Sequence, residues 1–436
     1  MKYSFRHAFL WLGIYILLCL IPLLIAITGL IPEYRDFWIE FGVALGFLGL
    51  GMFALQFVFS GRFINIAPSF GMDNVLHFHR KMGIIAFLFV LAHPITLIIA
   101  HPEFMSYFDP RINAPRAAAL SFATASLILL TVTSLWRISF GLDYEKWRLV
   151  HGLLSLALVF IGTVHALQVG HYMDTLWKQV LLALLMGGSM YLVIHTRIVR
   201  PWKNRKKPYK VTHIQQERDN SWTLELNPQN HKRMAFEAGQ FAWLTINNSP
   251  FSTQQHPFTI ASSEKDDALL FTAKSTGDFT ATWKHIQPGR KVFLEGPFGS
   301  FTLKNNENLF LVMGGIGVTP AMSMLRTLKD RKDSRKITLI YANQDWESIT
   351  FREELEELKK TLTLKIVHVL KNGNGNKNTE EGIINEALLK KHLPENPNDY
   401  MFYICGPEPM MDEAEIALRN LGIDWRHIYT ERFDIV

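Results

Sequence analysis

The sequence predicts three consecutive parts: a six-helix membrane-spanning bundle over residues 1–200, a small antiparallel β-barrel over 208–303 and a parallel α/β domain over 308–436. Six apolar stretches, each long enough at about 20 residues to cross a bilayer, crowd the first half. Short strand-like segments bounded by turn residues follow. Beyond residue 308, apolar strands alternate with helical patterns, the mark of a parallel sheet. A chain of 436 residues is too long for one ordinary core, as this division requires.

The apolar stretches lie near 8–30, 38–60, 78–100, 117–137, 148–169 and 177–199. The first reads as a retained helix, because its apolar run is too long for a signal peptide and no small-residue cleavage site follows. Residues 1–207 carry 18 Lys+Arg against 9 Asp+Glu, and the remainder 27 against 30, so the net charge of +6 is +9 in the first part offset by −3 in the second. Positive charge that flanks apolar spans orients a membrane protein and argues against a nucleic-acid partner. Lys2 and Arg6 precede the first span, and Arg62, Arg80 and Lys81 lie between the second and third. Arg137, Lys146 and Arg148 join the fourth and fifth, and "RIVRPWKNRKKPYK" follows the sixth. The alternate loops hold Glu33, Asp36, Glu103, Asp109 and Asp174. Both termini and the polar half are therefore expected in the cytoplasm, on a multi-pass protein of the plasma membrane. Cys19 sits in an apolar span and Cys405 in the polar half, which leaves no pair for a structural disulfide.

Histidine inside an apolar span needs a reason. In "HFHRKMGIIAFLFVLAHP" His79 and His93 are 14 residues apart, and in "HGLLSLALVFIGTVH" His151 and His165 repeat that spacing. Fourteen residues bring two side chains to nearly one helix face, about 21 Å apart along the axis. The third and fifth spans run parallel, so His79 lies level with His151 and His93 with His165. Two imidazoles at each of two depths suit axial ligation of haem iron, whereas a bare zinc or copper ion would want three or four ligands. Arg80 and Arg148 flank the cytoplasmic pair, either as partners of haem propionates or as cytoplasmic-side anchors. His77, His101, His171 and His195 fall off the shared face or near span ends.

In the barrel region stand "HPFTIASS" (256–263) and "KSTGDFT" (274–280); in the α/β region "GGIGVTP" (314–320) follows a strand and opens a helix, where glycines let main-chain N–H groups approach a phosphate. With "CGPEPM" and the terminal "ERF", these motifs resemble the ferredoxin–NADP reductase superfamily. Joined to six spans with two histidine pairs, the chain resembles the NADPH oxidase/ferric reductase family of transmembrane reductases over essentially its whole length. That resemblance implies FAD, two b-type haems and NAD(P)H. His256, Pro257, Phe258 and Thr259 would line the flavin, and Lys274, Gly277 and Thr280 would cradle its pyrophosphate. Gly314, Gly315, Gly317, Thr319 and Pro320 would bind the nicotinamide nucleotide, Cys405, Gly406 and Pro407 would frame the nicotinamide, and Phe433 would stack on the flavin. The sequence departs from the family in two places. Gln344 and Asp345 leave a 2′-phosphate without an evident cation, and Leu97 stands where animal oxidases carry a further histidine.

The expected function is an enzyme that moves electrons from cytoplasmic NAD(P)H through FAD and the two haems to an extracytoplasmic acceptor, oxygen or ferric iron. A flavin is needed because the donor gives two electrons and a haem accepts one. A redox module feeding an extracytoplasmic protein partner is the second reading, and a channel with a regulatory nucleotide domain, which would hold no haem, the third.

Overall fold

The computed structural model describes residues 5–29, 33–61, 72–247, 249–303, 307–373 and 379–432. Phe433, Lys2, Arg62 and much of the "KNGNGNKN" stretch lie outside the described residues. The chain forms two compact units, one of Tyr3–Phe63 with Asn74–Arg200 and one built on Pro201–Val436.

The first unit consists of α1 (Phe5–Ile27), α2 (Phe37–Ser60), α3 (Met72–Ala100), α4 (Pro110–Leu135), α5 (Tyr144–Val169) and α6 (Leu176–Ile194). Among the described residues these are the six helices long and apolar enough to cross a membrane. The unit turns large apolar side chains outward, with Ile99 77% and Leu184 68% exposed, a surface that water penalises and lipid does not. Asp36 caps α2 by accepting from the Trp38 amide at 3.1 Å, and Asp109 caps α4 by accepting from the Arg111 amide at 2.9 Å. Glycines bring α2 close to α3. A Cβ at Gly42 would lie 2.9 Å from Leu97 Cδ2, one at Gly46 2.8 Å from His93 Nδ1, and one at Gly49 2.5 Å from Val90 Cγ2. Small residues at such spacing let helices approach where lipid offers no hydrophobic drive.

The second unit holds two sheets. The first, of β1 (Tyr209–Gln216), β2 (Ser221–Pro228), β3 (Phe241–Thr245), β4 (His256–Thr259), β5 (Leu269–Lys274) and β6 (Lys291–Phe298), is antiparallel in the order β4-β3-β6-β1-β2-β5. An isolated bridge between Ile260 and Phe271 brings its two edges together, so the sheet curls around a core of Leu224, Leu226, Leu244, Phe271, Trp283 and Val292. The second sheet, of β7 (Asn308–Gly314), β8 (Ile337–Asn343), β9 (Leu364–Leu370), β10 (Thr379–Glu381), β11 (Tyr400–Cys405) and β12 (Ile428–Thr430), is parallel throughout, in the order β10-β9-β8-β7-β11-β12. Its fully buried strands read as continuous apolar runs, as "LFLVM" does in β7. Helices α7 (Thr319–Arg331), α8 (Arg352–Leu358), α9 (Glu386–His392) and α10 (Glu408–Asn420) connect the strands. From β7 the chain builds outward through β8 and β9, then returns to place β11 on the other side of β7. The crevice at the carboxyl ends of β7 and β11 is therefore the switch point, where open α/β sheets bind their ligands.

Arginines join the barrel to the parallel domain. Arg326 of α7 holds Glu354 through two bonds of 2.7 and 2.6 Å and donates to the Ala261 carbonyl at 2.6 Å. Arg218, in the β1–β2 turn, donates to Glu347 and Glu353, each at 2.7 Å.

Candidate functional site

The helices bring the four span histidines together two by two. His79 of α3 and His151 of α5 have ring centroids 6.4 Å apart with planes at 55°, and His93 and His165 on the same helices have centroids 6.3 Å apart at 64°. An imidazole nitrogen sits about 2.0–2.1 Å from a metal, and its ring centre about one bond length further, so a shared metal puts two ring centres about 6–7 Å apart. Both gaps match that span. Among the described residues no group of three or more His, Cys, Asp or Glu side chains could hold a bare ion.

The remaining ring nitrogens are treated differently at the two levels. His93 Nδ1 lies 2.7 Å from the Gly42 carbonyl, which can only accept, so Nδ1 carries the proton and Nε2 keeps its lone pair. His151 Nδ1 lies 3.2 Å from Ser134 Oγ. His79 Nδ1 is buried beside the main chain of Gln56.

A cavity of about 230 Å³ opens beside the second pair, lined by His93, His165, Leu97, Tyr107, Gly46 and Arg35 among others. Leu97, one turn beyond His93, is buried. The Arg116 guanidinium lies 4.1 Å from the Tyr107 ring centroid, and that ring stands edge-on to His165 at 6.1 Å. Arg116 donates to the Ser106 carbonyl at 3.3 Å, while its buried Nε has no partner among the described residues. Near the first pair, Trp147 packs on His151 at 4.9 Å and Arg148 lies over the Tyr144 ring at 5.5 Å; Arg80 is exposed.

In the second unit, β4 and the "KSTGDFT" turn face each other. The His256 ring stacks on Phe279 at 4.1 Å, and Phe258 packs on Phe279 and on the buried Trp283. Pro257 pairs with Trp243 and the buried Thr259 with Phe241 across the β3–β4 ladder. The Thr280 hydroxyl accepts from the Thr276 and Gly277 amides, both at 3.2 Å, which folds that turn. Lys274 is bound elsewhere, in an ion pair with Asp219 at 2.5 Å.

The two glycine turns meet at the switch point. Gly314 ends β7, Gly315 adopts φ +51°, and α7 opens with Thr319 and Pro320, a residue suited to a first helical turn. A Cβ at Gly317 would lie 2.6 Å from the Cys405 carbonyl oxygen and 2.8 Å from Gly406 Cα, and one at Gly314 2.9 Å from Pro407 Cδ. Tyr341 donates to the Gly315 carbonyl at 3.1 Å and fixes the turn from behind. The Cys405 thiol itself is fully buried in the sheet's core, and burial holds its proton well above the usual thiol range.

Comparison with known proteins divides the chain along the same lines. Residues 45–162 match the ferric reductase like transmembrane component. Residues 203–302 match an FAD-binding domain and 311–415 an oxidoreductase NAD-binding domain. Among curated relatives, the ferredoxin reductase component of 3-ketosteroid-9-alpha-monooxygenase from Rhodococcus rhodochrous is 31% identical over 46% of this chain and 57% of its own length. NADH-cytochrome b5 reductase 1 from Lodderomyces elongisporus is 31% identical over 38% of this chain and 58% of its own. The chain thus spans a little over half the length of these relatives. The FAD/NAD-binding domain of nitric oxide dioxygenase from Vibrio cholerae aligns with 52% of this chain and 98% of its own, at 21% identity and a TM-score of 0.47.

Several residues that surround the histidine pairs are not marked for that place by the sequence around them. Gly42 and Ser134 hold ring nitrogens, and Arg116 and Tyr107 stand beside His165. Only Gly42 and Gly46 carried a signal, as glycines four apart in an apolar span.

Proposed function

We propose that this protein is a transmembrane oxidoreductase that takes electrons from NAD(P)H on the cytoplasmic side and delivers them to an acceptor on the other, oxygen or ferric iron. The reading rests on one conjunction: two imidazole pairs with centroids 6.4 and 6.3 Å apart inside a six-helix unit, on a chain that also carries FAD- and NAD-binding domains. The residues fit haem. Each pair offers two axial ligands, at least two of the four rings are held at Nδ1, and no further side chain closes the remaining positions among the described residues. Bound flavin would supply the change from two-electron to one-electron transfer, and bound haem the one-electron carriers within the bilayer.

The chain's own residues set the order. His79 and His151 would hold the inner haem, with Arg80 and Arg148 toward its carboxylates, and His93 and His165 the outer one. His256, Pro257, Phe258 and Thr259, facing Phe279, would hold the flavin, with Gly277 and Thr280 beside its pyrophosphate. Gly314, Gly315, Gly317, Thr319 and Pro320 would offer main-chain N–H groups to the nucleotide phosphates at the switch point. Cys405, Gly406 and Pro407 would close the other wall of that crevice, and Phe433 would cover the flavin.

Purified protein in detergent tests the reading. It should hold two b-type haems per chain, low-spin and bis-imidazole by absorption, that NAD(P)H reduces through FAD. A preparation with no Soret band sinks it. Steady NAD(P)H consumption with oxygen or chelated ferric iron supports the enzyme, whereas reduction that then stalls marks a module serving a protein partner.

Nucleotide preference can be forecast from the corner after β8. Gln344 is uncharged, and Asp345 is engaged with Ser348 through bonds of 2.9 and 3.1 Å. The nearby cation, Arg352, donates to the Trp346 carbonyl at 2.9 Å and lies 3.3 Å from Glu353 and 3.6 Å from Glu347. The Arg218 guanidinium holds the Glu353 carboxyl down to about 2, so that competing carboxylate is ionised at any working pH. NADH should therefore be preferred, or the two nucleotides used almost equally. A free arginine on the 2′-phosphate would contribute about 1.5–3 kcal/mol, so a kcat/KM ratio of about 10 or more in favour of NADPH would show that Arg352 leaves its carboxylates.

A further inference from the structure

We propose that Ser134 is a positioning residue for the inner metal site, fixing the tautomer of His151 and setting the electron-donating strength of its ligating nitrogen. This rests on the reading of His79 and His151 as ligands of one haem.

Ser134 lies in the last turn of α4, and its Oγ is 2.5 Å from the Leu130 carbonyl and 3.2 Å from His151 Nδ1. A hydroxyl has one proton, and a carbonyl oxygen has none to give. The short contact with Leu130 therefore fixes the hydroxyl proton on that side, by the ordinary back-bonding of serine to the preceding turn. The oxygen's free lone pair then faces His151, so Nδ1 carries the hydrogen and Nε2 is the bare nitrogen. Trp147 packs against the same ring at 4.9 Å and restricts its rotation. The ring is thus held by one polar contact and one apolar wall, both from outside the pair.

An Nδ1–H that is hydrogen-bonded leaves the opposite nitrogen more basic and a better donor to a metal, which favours the metal's higher charge state. At the outer pair the same task falls to the main-chain carbonyl of Gly42, at 2.7 Å from His93 Nδ1. The inner site therefore has the one such contact, among those described, that a side-chain substitution can remove without touching a ligand.

The test compares Ser134→Val with Ser134→Thr in the full-length protein loaded with haem. These side chains are nearly the same size and differ in the hydroxyl. Redox titration followed by absorption, with the low-spin ferric EPR signal recorded alongside, reads each centre separately. Valine should raise the midpoint potential of one centre and alter its EPR signal, threonine should restore both toward wild type, and the second centre should not move. Loss of one haem in the valine protein with retention of both in the threonine protein supports the same conclusion. Equal potentials in the two variants, or a shift common to both centres, overturn it. If neither variant binds haem, Ser134→Ala decides by the same shift, and an alanine protein with wild-type potentials rejects the role. A wild-type protein without haem would reject the parent reading and this one with it.

Discussion

Replacement of His93 or His165 by alanine is expected to remove about half of the haem while the flavin stays in place. Each inner ligand lies about 21 Å along its helix from the outer one, so the His79–His151 pair, with its own separation of 6.4 Å, should load as before. NAD(P)H should still reduce the remaining haem. Delivery to oxygen or a ferric chelate on the far side should fall by at least roughly 100-fold, since even the loss of a contact behind a metal ligand costs about 10–100-fold. Alanine at His79 or His151 should fail differently: FAD still accepts hydride, and no haem is reduced. Haem quantification and stopped-flow reduction distinguish the two patterns. A His93→Ala protein with two haems and normal turnover removes the paired-site reading.

The second large effect is expected at Gly317. A Cβ there would sit 2.6 Å from the Cys405 carbonyl oxygen and 2.8 Å from Gly406 Cα, inside any real contact distance and against main chain on both sides. Neither atom can rotate away, so alanine must push the two turns of the switch point apart. Overpacking of this kind costs about 1–3 kcal/mol, which spent on the nucleotide crevice corresponds to about 5–150-fold in KM for NAD(P)H. Haem and FAD content should stay at wild-type levels, because the displaced turns lie at the carboxyl ends of β7 and β11 rather than in the barrel. Gly187→Ala is the matched control, since the space at that glycine is open. An unchanged KM in Gly317→Ala would mean that the nucleotide does not use this turn.

Much of the arrangement could be read from spacing alone, where the relevant period is local. Fourteen residues is close to four turns of helix, so His79 with His93, and His151 with His165, could be placed on shared faces without knowing how the helices pack. The alternation of strand and helix after residue 308 is equally local. Contacts between distant segments were not legible. Gly42 lies 51 residues from His93 and Ser134 lies 17 from His151, and nothing in their own neighbourhoods marks them as partners of a ring. Lys274 illustrates the same limit in reverse. Its place in a glycine turn points to a phosphate, while the fold directs its charge to Asp219, 55 residues earlier. The bridge from Ile260 to Phe271 that closes the barrel, and the return of the chain to place β11 beside β7, also depend on which strands find each other rather than on what each strand contains.

The bond between His93 and the Gly42 carbonyl has a consequence for heredity. A carbonyl of the main chain belongs to every amino acid, so no codon change at position 42 can delete the acceptor itself. The contact can be lost only by steric means, when a new side chain at Gly42 or Gly46 drives α2 away from α3. Ser134 is different, because a single nucleotide change can turn a serine codon into one without a hydroxyl. The two histidine pairs are therefore unequally exposed to mutation. One can be retuned in small steps by exchanging a side chain, while the other is either kept as it stands or broken outright.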